Sequence, residues 1–344
     1  MKIKADVLNQ EWPSLELEEV LYCPYCGSDQ SDLTYQSVRD YSFSTAPGEW
    51  QYWSCKCCES LYLSPRPTKN SIGKAYKAYY THLVKDQLFI KALIKSLRKR
   101  FKHECLSHWL GAELVPRIGL PRLIGFLLLP LKALIRIPCE LQFLATKPRG
   151  SLIDVGCGGG VMLDLAQQLG WTVRGLEIDP IACMAAKNMG LNVTQGDYSE
   201  MGEMIEKFDC VLCSHVLEHV HEPRVMLDFM TAALKVNGYL ILTLPNANSD
   251  LRFRFGKFWR GLEAPRHLSI PTTSHMIATL KSFGYSDIKQ HDIYEETLWQ
   301  SLCIELKDTG MPKKNFFLFK LKRLLCGKKF TQRSDYIQLI AKKN

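Results

Sequence analysis

The chain has 344 residues, of which 46% are hydrophobic, and a formal net charge of +9. Its two most basic segments, residues 81–150 and 311–333, are also rich in Leu and Phe. Their longest uncharged run, residues 123–131, is far shorter than the roughly 20 residues that a membrane-spanning helix needs, which excludes a spanning helix there. The rest of the chain is acidic overall.

Five of the 13 cysteines lie close together near the N-terminus. Cys23 and Cys26 form one C-x-x-C pair, Cys55 and Cys58 form a second, and Cys57 is a spare. Two such pairs supply four thiolates for a tetrahedral Zn²⁺, so we predict a zinc ribbon at residues 15–70 whose metal is structural. A redox C-x-x-C is the alternative, although nothing thioredoxin-like surrounds either pair.

Most of the remaining cysteines are scattered through apolar patterns, as expected for free thiols in a reducing compartment. The N-terminus shows no secretory signal, so we expect a cytoplasmic protein.

A basic, helical connector is predicted at residues 71–148. Residues 81–150 hold 13 Lys and Arg against 4 acidic residues, and residues 311–333 hold 8 against none. Amphipathic helices of this kind either pack their apolar face on the domain or bind an anionic membrane, here the inner face. Nucleic acid is a weaker interpretation, because the basic residues alternate with Leu and Ile rather than with aromatic residues.

The next pattern, at residues 151–160, is a buried strand that runs into a glycine loop and then a helix. Its spacing is G-x-G-x-G, at Gly156, Gly158 and Gly160, and Asp154 precedes the first glycine. Strand, glycine turn and helix begin a nucleotide-binding βαβ unit, in which the helix N-terminus faces the ligand.

Polar residues stand at the ends of the strands that follow. Glu177 ends a strand 23 residues after Asp154, the place of an acid that binds ribose hydroxyls, whereas Asp179 before Pro180 is predicted to cap the next helix. Asp197 follows a third strand, and Ser214 ends a fourth. Because parallel strands end at one edge of a sheet, we expect these residues to line one site.

These residues together resemble the motifs of class I methyltransferases that depend on S-adenosylmethionine (SAM). The loop at residues 259–268 and the C-terminal residues 335–343 are similar to ubiquinone-biosynthesis O-methyltransferases, and the N-terminal segment resembles the head of a zinc-ribbon methyltransferase. The resemblance implies an α/β, Rossmann-like, doubly wound sheet of seven strands with the last one antiparallel. It implies a methyltransferase domain at residues 149–344, with a basic apolar insertion at about 311–333. It also implies a SAM site formed by Asp154, Gly156, Cys157, Gly158, Glu177, Ile178, Asp197, Tyr198, Ser214 and His215.

The candidate catalytic residues are His215, Glu218, His219 and His267. A hydroxyl acceptor needs a base, and on a helix the first three would share one face. Some related O-methyltransferases carry Glu-x-x-Glu-His here, which implies a divalent metal in them. Because His215 replaces the first Glu, metal catalysis, a metal-free histidine base and purely structural histidines all stay open.

The resemblance implies O-methylation of a sugar, a glycan precursor or another small metabolite. One alternative is methylation of a quinone-type phenol, and another is a SAM-binding regulatory module without turnover. The Asn/Asp-Pro-Pro-Tyr/Phe signature of base N-methylation is missing after the fourth strand, where residues 213–216 read Cys-Ser-His-Val. A nucleobase amine is therefore an unfavoured acceptor.

Overall fold

The structure is a computed structural model, and it describes residues 10–76, 138–200, 205–291, 297–309 and 333–344. Residues 77–137 of the predicted basic connector and residues 311–332 of the basic insertion therefore lie outside the described residues. The strands are β1 (Leu17–Glu18), β2 (Ser31–Val38), β3 (Trp50–Cys55), β4 (Leu61–Leu63), β5 (Arg66–Pro67), β6 (Ser151–Val155), β7 (Thr172–Glu177), β8 (Val193–Gln195), β9 (Phe208–Ser214), β10 (Leu234–Pro245), β11 (Ser269–Ile270), β12 (Tyr285–Gln290) and β13 (Tyr336–Lys343).

The α-helices are α1 (Cys139–Thr146), α2 (Val161–Gln168), α3 (Pro180–Asn188), α4 (Pro223–Ala233), α5 (Asp250–Phe255), α6 (Thr273–Ser282) and α7 (Leu298–Asp308). Short 3₁₀ turns lie at Ser14–Glu16, Ile72–Tyr76, Tyr198–Glu200, Leu217–His219, Gly256–Phe258 and Arg260–Leu262. No helix among the described residues is long and apolar enough to cross a membrane.

Seven strands form one mixed sheet in the order β12-β13-β10-β9-β6-β7-β8. Strands β6, β7 and β8 are parallel, with Asp154 opposite Gly175 and Glu177 opposite Gln195. The last strand, β13, pairs antiparallel with β12. The predicted Rossmann-like sheet with an antiparallel last strand is therefore confirmed.

A second sheet contains the N-terminal ribbon and has the order β11-β4-β3-β2. Its fourth strand comes from a distant part of the chain, because β11 pairs antiparallel with β4 and sets Ser269 opposite Tyr62. The apolar core against this sheet combines Trp50 and Tyr52 of the ribbon with Trp259 and Leu268. The ribbon and residues 259–270 thus share one core.

The described residues group into two compact units. Within the described residues, the ribbon unit comprises 10–76, 213–232, 242–291, 297–309 and 333–344. The glycine-loop unit comprises 138–200, 205–212 and 233–241. The domain boundaries at residues 15–70, 71–148 and 149–344 stay a prediction.

Element ends differ in places from the sequence pattern. An Asn-Gly pair often ends a helix, but α4 ends at Ala233, well before Asn237-Gly238. The buried Leu234 already begins β10, and Asn237 takes a left-handed conformation inside that strand, with φ of 64°.

Candidate functional site

The glycine loop connects β6 to α2 in the glycine-loop unit. Gly156, Gly158 and Gly160 have φ values of 78°, 53° and 79°. Side-chain-bearing residues rarely adopt this left-handed region, so the loop depends on glycine. At Gly160, a Cβ atom would also lie only 2.5 Å from Leu191 Cδ1. The local sequence therefore fixes a tight turn that ends at the start of a helix.

Glu177 holds this loop with its carboxylate. Its Oε2 accepts a hydrogen bond from the Gly158 amide at 2.6 Å, and its Oε1 accepts one from the Asp179 amide at 2.8 Å. Burial raises the pKa of Glu177 despite these two donors. Each oxygen keeps a further lone pair, which can accept a hydrogen bond from a ribose hydroxyl.

Asp154 is the second acid of this unit. It lies in β6 and is buried. Burial, with the nearby Glu177 and Glu140, raises the pKa of Asp154 to about 8. The carboxyl is therefore largely protonated at neutral pH, and a cationic ligand would favour its ionised form.

The other predicted SAM residues of this unit have varied surroundings. The Cys157 thiol packs towards Gly175, where a Cβ would lie 2.7 Å from Sγ, so Cys157 offers a ligand mainly its backbone. Ile178 is 68% exposed. Asp197 accepts a hydrogen bond from the Ser199 amide at 3.2 Å, and Tyr198 begins the 3₁₀ turn there. Asp179 caps α3 through the Ile181 amide, as predicted.

The predicted face of histidines is not on an α-helix. His215 follows β9 with φ of 58°, and its amide donates to the carbonyl of Thr243 at 2.8 Å. Only Leu217–His219 forms a turn, and it is 3₁₀. The His215 ring packs edge-on against Tyr336, and its Nδ1 lies 3.4 Å from Glu218 Oε1. The expected i, i+4 pairing of His215 with His219 is therefore absent from this turn.

A different group forms in the ribbon unit. Glu218, His219 and His267 each point one ligand atom into a common space, and these atoms lie within 4.8 Å of one another. The rings of His219 and His267 are 4.6 Å apart at an interplanar angle of 78°. We name Glu218, His219 and His267 the His/Glu cluster. The sequence predicted all three residues, although it predicted a different arrangement.

Two backbone carbonyls fix the histidine tautomers. His219 Nδ1 lies 3.0 Å from the carbonyl of Arg266, and His267 Nδ1 lies 2.7 Å from the carbonyl of Gly261. A carbonyl only accepts, so both Nδ1 atoms carry a proton, and in the neutral form of each ring Nε2 keeps a lone pair. The Tyr76 hydroxyl also lies 3.0 Å from His219 Nδ1.

The cluster is rich in acceptors. Glu218 is 0% exposed, and its nearest possible donor is His215 Nδ1, 3.4 Å from Oε1. Burial would raise the pKa of Glu218, but the three surrounding histidines lower it. Burial lowers the pKa of His267 to about 4, so that ring is neutral at pH 7. A carboxylate and two imidazole lone pairs fit a proton or a divalent cation between them.

The sequence reasoning missed the charged residues behind this cluster. Glu263 lies 3.7 Å from His267 Nε2 and forms ion pairs with Arg260 and Arg266. Burial opposes ionisation of Glu263, but His267 and the two arginines lower its pKa to about 2. Asp40 of the ribbon pairs with Arg266 in the protein interior. The Glu-Ala-Pro-Arg-His run at residues 263–267 was the signal in the sequence that pointed to Glu263 and Arg266.

The four ribbon cysteines meet as predicted. Their Sγ atoms lie within 4.8 Å of one another, with 3.5 Å between Cys23 and Cys58 and 3.4 Å between Cys26 and Cys55. Sulfurs bound to one zinc at about 2.3 Å stand about 3.8 Å apart, so the set fits a tetrahedral zinc. Cys57 is exposed and outside the set.

Matching turns produce this geometry. The Gly27 amide donates to the Cys23 carbonyl, and the Glu59 amide donates to the Cys55 carbonyl, each at 2.9 Å. Gly27 and Glu59 are both left-handed, with φ of 77° and 57°. Each turn therefore presents its two sulfurs to the same point.

Comparison with known proteins supports the interpretation of the glycine loop as part of a methyltransferase. A family described as "Methyltransferase domain" matches residues 135–290. The chain is 30% identical over 124 residues to a ubiquinone biosynthesis O-methyltransferase of Histophilus somni, which covers 32% of this chain and 52% of that protein. It is 34% identical over 101 residues to the mitochondrial ubiquinone biosynthesis O-methyltransferase of Schizosaccharomyces pombe, with 27% and 36% covered. The chain thus spans about half or less of the length of these curated relatives.

The sequence identity to solved structures is lower than the identity to these relatives. A SAM dependent methyltransferase from Archaeoglobus fulgidus has a TM-score of 0.42 at 20% identity and covers 57% of this chain and 87% of its own. A second, from Mesorhizobium loti, has a TM-score of 0.41 at 16% identity, with 60% and 96% covered.

Proposed function

Because residues 135–290 match a methyltransferase domain family, we propose that this chain transfers the methyl group of SAM to an acceptor hydroxyl. The observation that carries the proposal is the Glu177 carboxylate, which holds the glycine loop at Gly158 and keeps lone pairs for a ribose. Asp154, largely protonated when the protein is free, would ionise against the positive charge of the donor.

The His/Glu cluster supplies what a hydroxyl acceptor requires. Methyl transfer is an in-line displacement at a carbon already activated by the sulfonium, so the protein mainly positions the nucleophile and removes its proton. With Nδ1–H held by the Arg266 carbonyl, His219 offers Nε2 as the base. Glu218, buried among the histidines, stabilises the imidazolium that forms.

A divalent metal is the second candidate for this cluster. One buried carboxylate and two histidines whose Nδ1 protons are held by carbonyls form a ligand set that divalent metals accept, and their ligand atoms lie within 4.8 Å of one another. A bound ion would polarise the acceptor oxygen. We also propose a structural zinc on Cys23, Cys26, Cys55 and Cys58. Metal analysis separates the two sites, because Glu218→Gln would lose a cluster metal and keep the ribbon zinc.

The charges around the cluster favour a neutral acceptor. Arg266 is paired with Asp40 and Glu263, and Arg260 is paired with Glu263. These two arginines are thereby neutralised against a substrate carboxylate or phosphate, while Glu218 adds negative charge. A sugar hydroxyl of a glycan precursor or small metabolite fits this environment. A quinone-type phenol, suggested by the names of the curated relatives, is the alternative.

The decisive experiment combines calorimetric titration with SAM and a turnover assay that detects S-adenosylhomocysteine. Acceptor probes are a mixture of uncharged sugars and, separately, a catechol. We expect SAM binding in the wild type and in His219→Gln, with turnover in the wild type alone. Binding without turnover on any hydroxyl probe would favour the regulatory module, and absence of binding would overturn the proposal.

We propose further that the chain is cytoplasmic and that its basic apolar segments bring it to the anionic inner face of a membrane. The support is their composition, since residues 81–137 and 311–332 lie outside the described residues. Deletion of residues 311–333 should reduce sedimentation with phosphatidylglycerol vesicles but not with phosphatidylcholine vesicles. Equal sedimentation before and after the deletion would contradict this role.

A further inference from the structure

We propose that Asp40, in the N-terminal ribbon, is a positioning residue for His219 and acts on it through Arg266. This inference rests on the proposed function, in which His219 is the base. It assigns to the ribbon a part in building the acceptor side, beyond the holding of a metal.

Asp40 is itself held rigidly. It is buried in the loop after β2, and its carboxylate accepts hydrogen bonds from the amides of Phe43, Thr45 and Ala46 at 2.9–3.1 Å. Burial would raise the pKa of Asp40, but Arg266 and these amides lower it, so the group is a fixed negative charge. A carboxylate fixed this way can orient a cation without moving in response.

Arg266 is fixed in turn at every polar end. It is 0% exposed, both terminal nitrogens contact Asp40, and Nη1 also donates to the Ala75 carbonyl at 2.9 Å. Nε donates to Glu263 at 3.2 Å, and the guanidinium lies over the Phe43 ring at 4.4 Å. Any movement of the side chain would leave the buried guanidinium charge without its partners, which is costly. The side chain therefore holds the backbone of Arg266, including its carbonyl, in place.

That backbone selects the tautomer of His219. The Arg266 carbonyl requires a proton on His219 Nδ1, whereas the Tyr76 hydroxyl, at the same 3.0 Å distance, can donate or accept. If the carbonyl moves away, Tyr76 can donate to Nδ1, and the ring proton can shift to Nε2. His219 would then present a donor where the base needs a lone pair.

Other ribbon contacts support the same loop. The Tyr52 hydroxyl of β3 lies 2.8 Å from the His267 carbonyl and also contacts the Leu262 carbonyl. The Leu63 amide of β4 donates to the Leu268 carbonyl at 2.9 Å. The ribbon therefore holds residues 262–268 by backbone as well as by charge, and Asp40 is the charged member of that set.

The test is Asp40→Asn in the full chain, labelled with ¹⁵N-histidine and read by long-range ¹H–¹⁵N NMR. Wild-type His219 should show Nδ1–H, and Asp40→Asn should show a large Nε2–H population with unchanged SAM affinity. If turnover is established, kcat should fall about 100-fold, as for a mispositioned general base, with little change in KM for SAM.

The control is Glu49→Gln, which removes the same charge from an exposed ion pair with Arg39 in the same ribbon and should leave the tautomer unchanged. If Asp40→Asn fails to fold, Arg266→Lys replaces it, because this change keeps the positive charge and loses the two-pronged contact with Asp40; it should also raise the Nε2–H population. An unchanged His219 tautomer in a folded variant would overturn the positioning role, whereas absence of SAM binding in the wild type would overturn the proposed function instead.

Discussion

The glycine loop and the His/Glu cluster are built in opposite ways. The loop is local, since the Glu177 carboxylate and the Gly158 amide that it holds are 19 residues apart and the other partners are backbone groups. The cluster is long-range, since the Asp40–Arg266 pair behind it spans 226 residues and consists of buried side chains. A local site is encoded by backbone conformation, whereas a long-range site is encoded by charges that need one another.

This contrast predicts how each site fails. The loop should lose its ligand when one ligand contact, such as that of Glu177, is removed. The protein should keep its fold, because the glycine conformations persist without the ligand. The cluster should fail as a group, because a buried charge without its partner destabilises the elements that carry it. Four changes test the contrast, beginning with the largest expected effect.

Loss of the ribbon metal should have the largest effect. Cys58→Ser removes one of the four thiolates, and structural zinc contributes about 10 kcal/mol or more to folding in small zinc domains. We expect zinc content near zero and loss of hydrogen-exchange protection in β2–β4 and in residues 259–270, which share their core. Protection of residues 151–177 should persist.

Cys57→Ser is the matched control, because Cys57 is exposed and outside the four-sulfur set. It should retain one zinc and full protection. A native protein without zinc, or a Cys58→Ser variant with unchanged protection of residues 259–270, would contradict the shared-core interpretation.

Glu177→Ala should have the next largest effect, on the local site alone. Hydrogen bonds to charged groups contribute about 1.5–3 kcal/mol each, so losing two ribose contacts should weaken SAM binding about 100-fold or more. Calorimetry measures the affinity, and far-ultraviolet circular dichroism should stay unchanged. Asp164→Asn removes an acid from α2, beyond the loop, and should bind SAM normally. Equal affinity of Glu177→Ala and wild type would refute the ribose assignment.

The same contrast explains what the sequence could predict. The glycine loop, Glu177, the Asp179 cap and the two cysteine turns were predictable because each is written in consecutive residues with a fixed spacing. The seven-stranded sheet with its antiparallel last strand followed from the resemblance. The partnership of His219 with His267 was not predictable, since a helix was assumed after β9 and the left-handed His215 prevents one. Asp40 carries no local signal, because its partner lies in another segment of the chain.

Acid should destabilise the cluster before it affects the loop. The pKa of His267 in the folded protein is about 4, below its usual 6.5, so the unfolded state binds more protons between these values. The stabilisation is therefore complete above pH 6.5 and declines as the pH falls to 4, by up to about 3 kcal/mol. The measurement is exchange protection of residues 262–268 at pH 6.5 and 4.5, corrected for intrinsic rates.

His267→Gln separates the protonation of His267 from the acid release of zinc, because the variant keeps the four ribbon cysteines and lacks the titrating ring. The variant should lose the pH dependence in this window. Glu263 cannot produce it, because its pKa of about 2 confines its own loss of stability to pH values below its usual 4.5. Identical pH profiles for wild type and His267→Gln would show that the buried ring has no such role.

The smallest predicted effect is a proton released when SAM binds. In the free protein, burial and the neighbouring acids Glu177 and Glu140 raise the pKa of Asp154 to about 8. Roughly nine-tenths of the carboxyl is then neutral at pH 7, and a cationic donor should lower the pKa and release most of one proton. SAM affinity should accordingly rise with pH up to about 8.

Calorimetry at pH 7 in phosphate and in Tris measures the released proton. The two binding enthalpies should differ by the number of protons released multiplied by the difference between the ionisation enthalpies of the two buffers. Asp154→Asn should remove that difference. A wild-type enthalpy that is the same in both buffers would mean that Asp154 is ionised before the ligand arrives, and that its burial is a property of the strand rather than of the binding site.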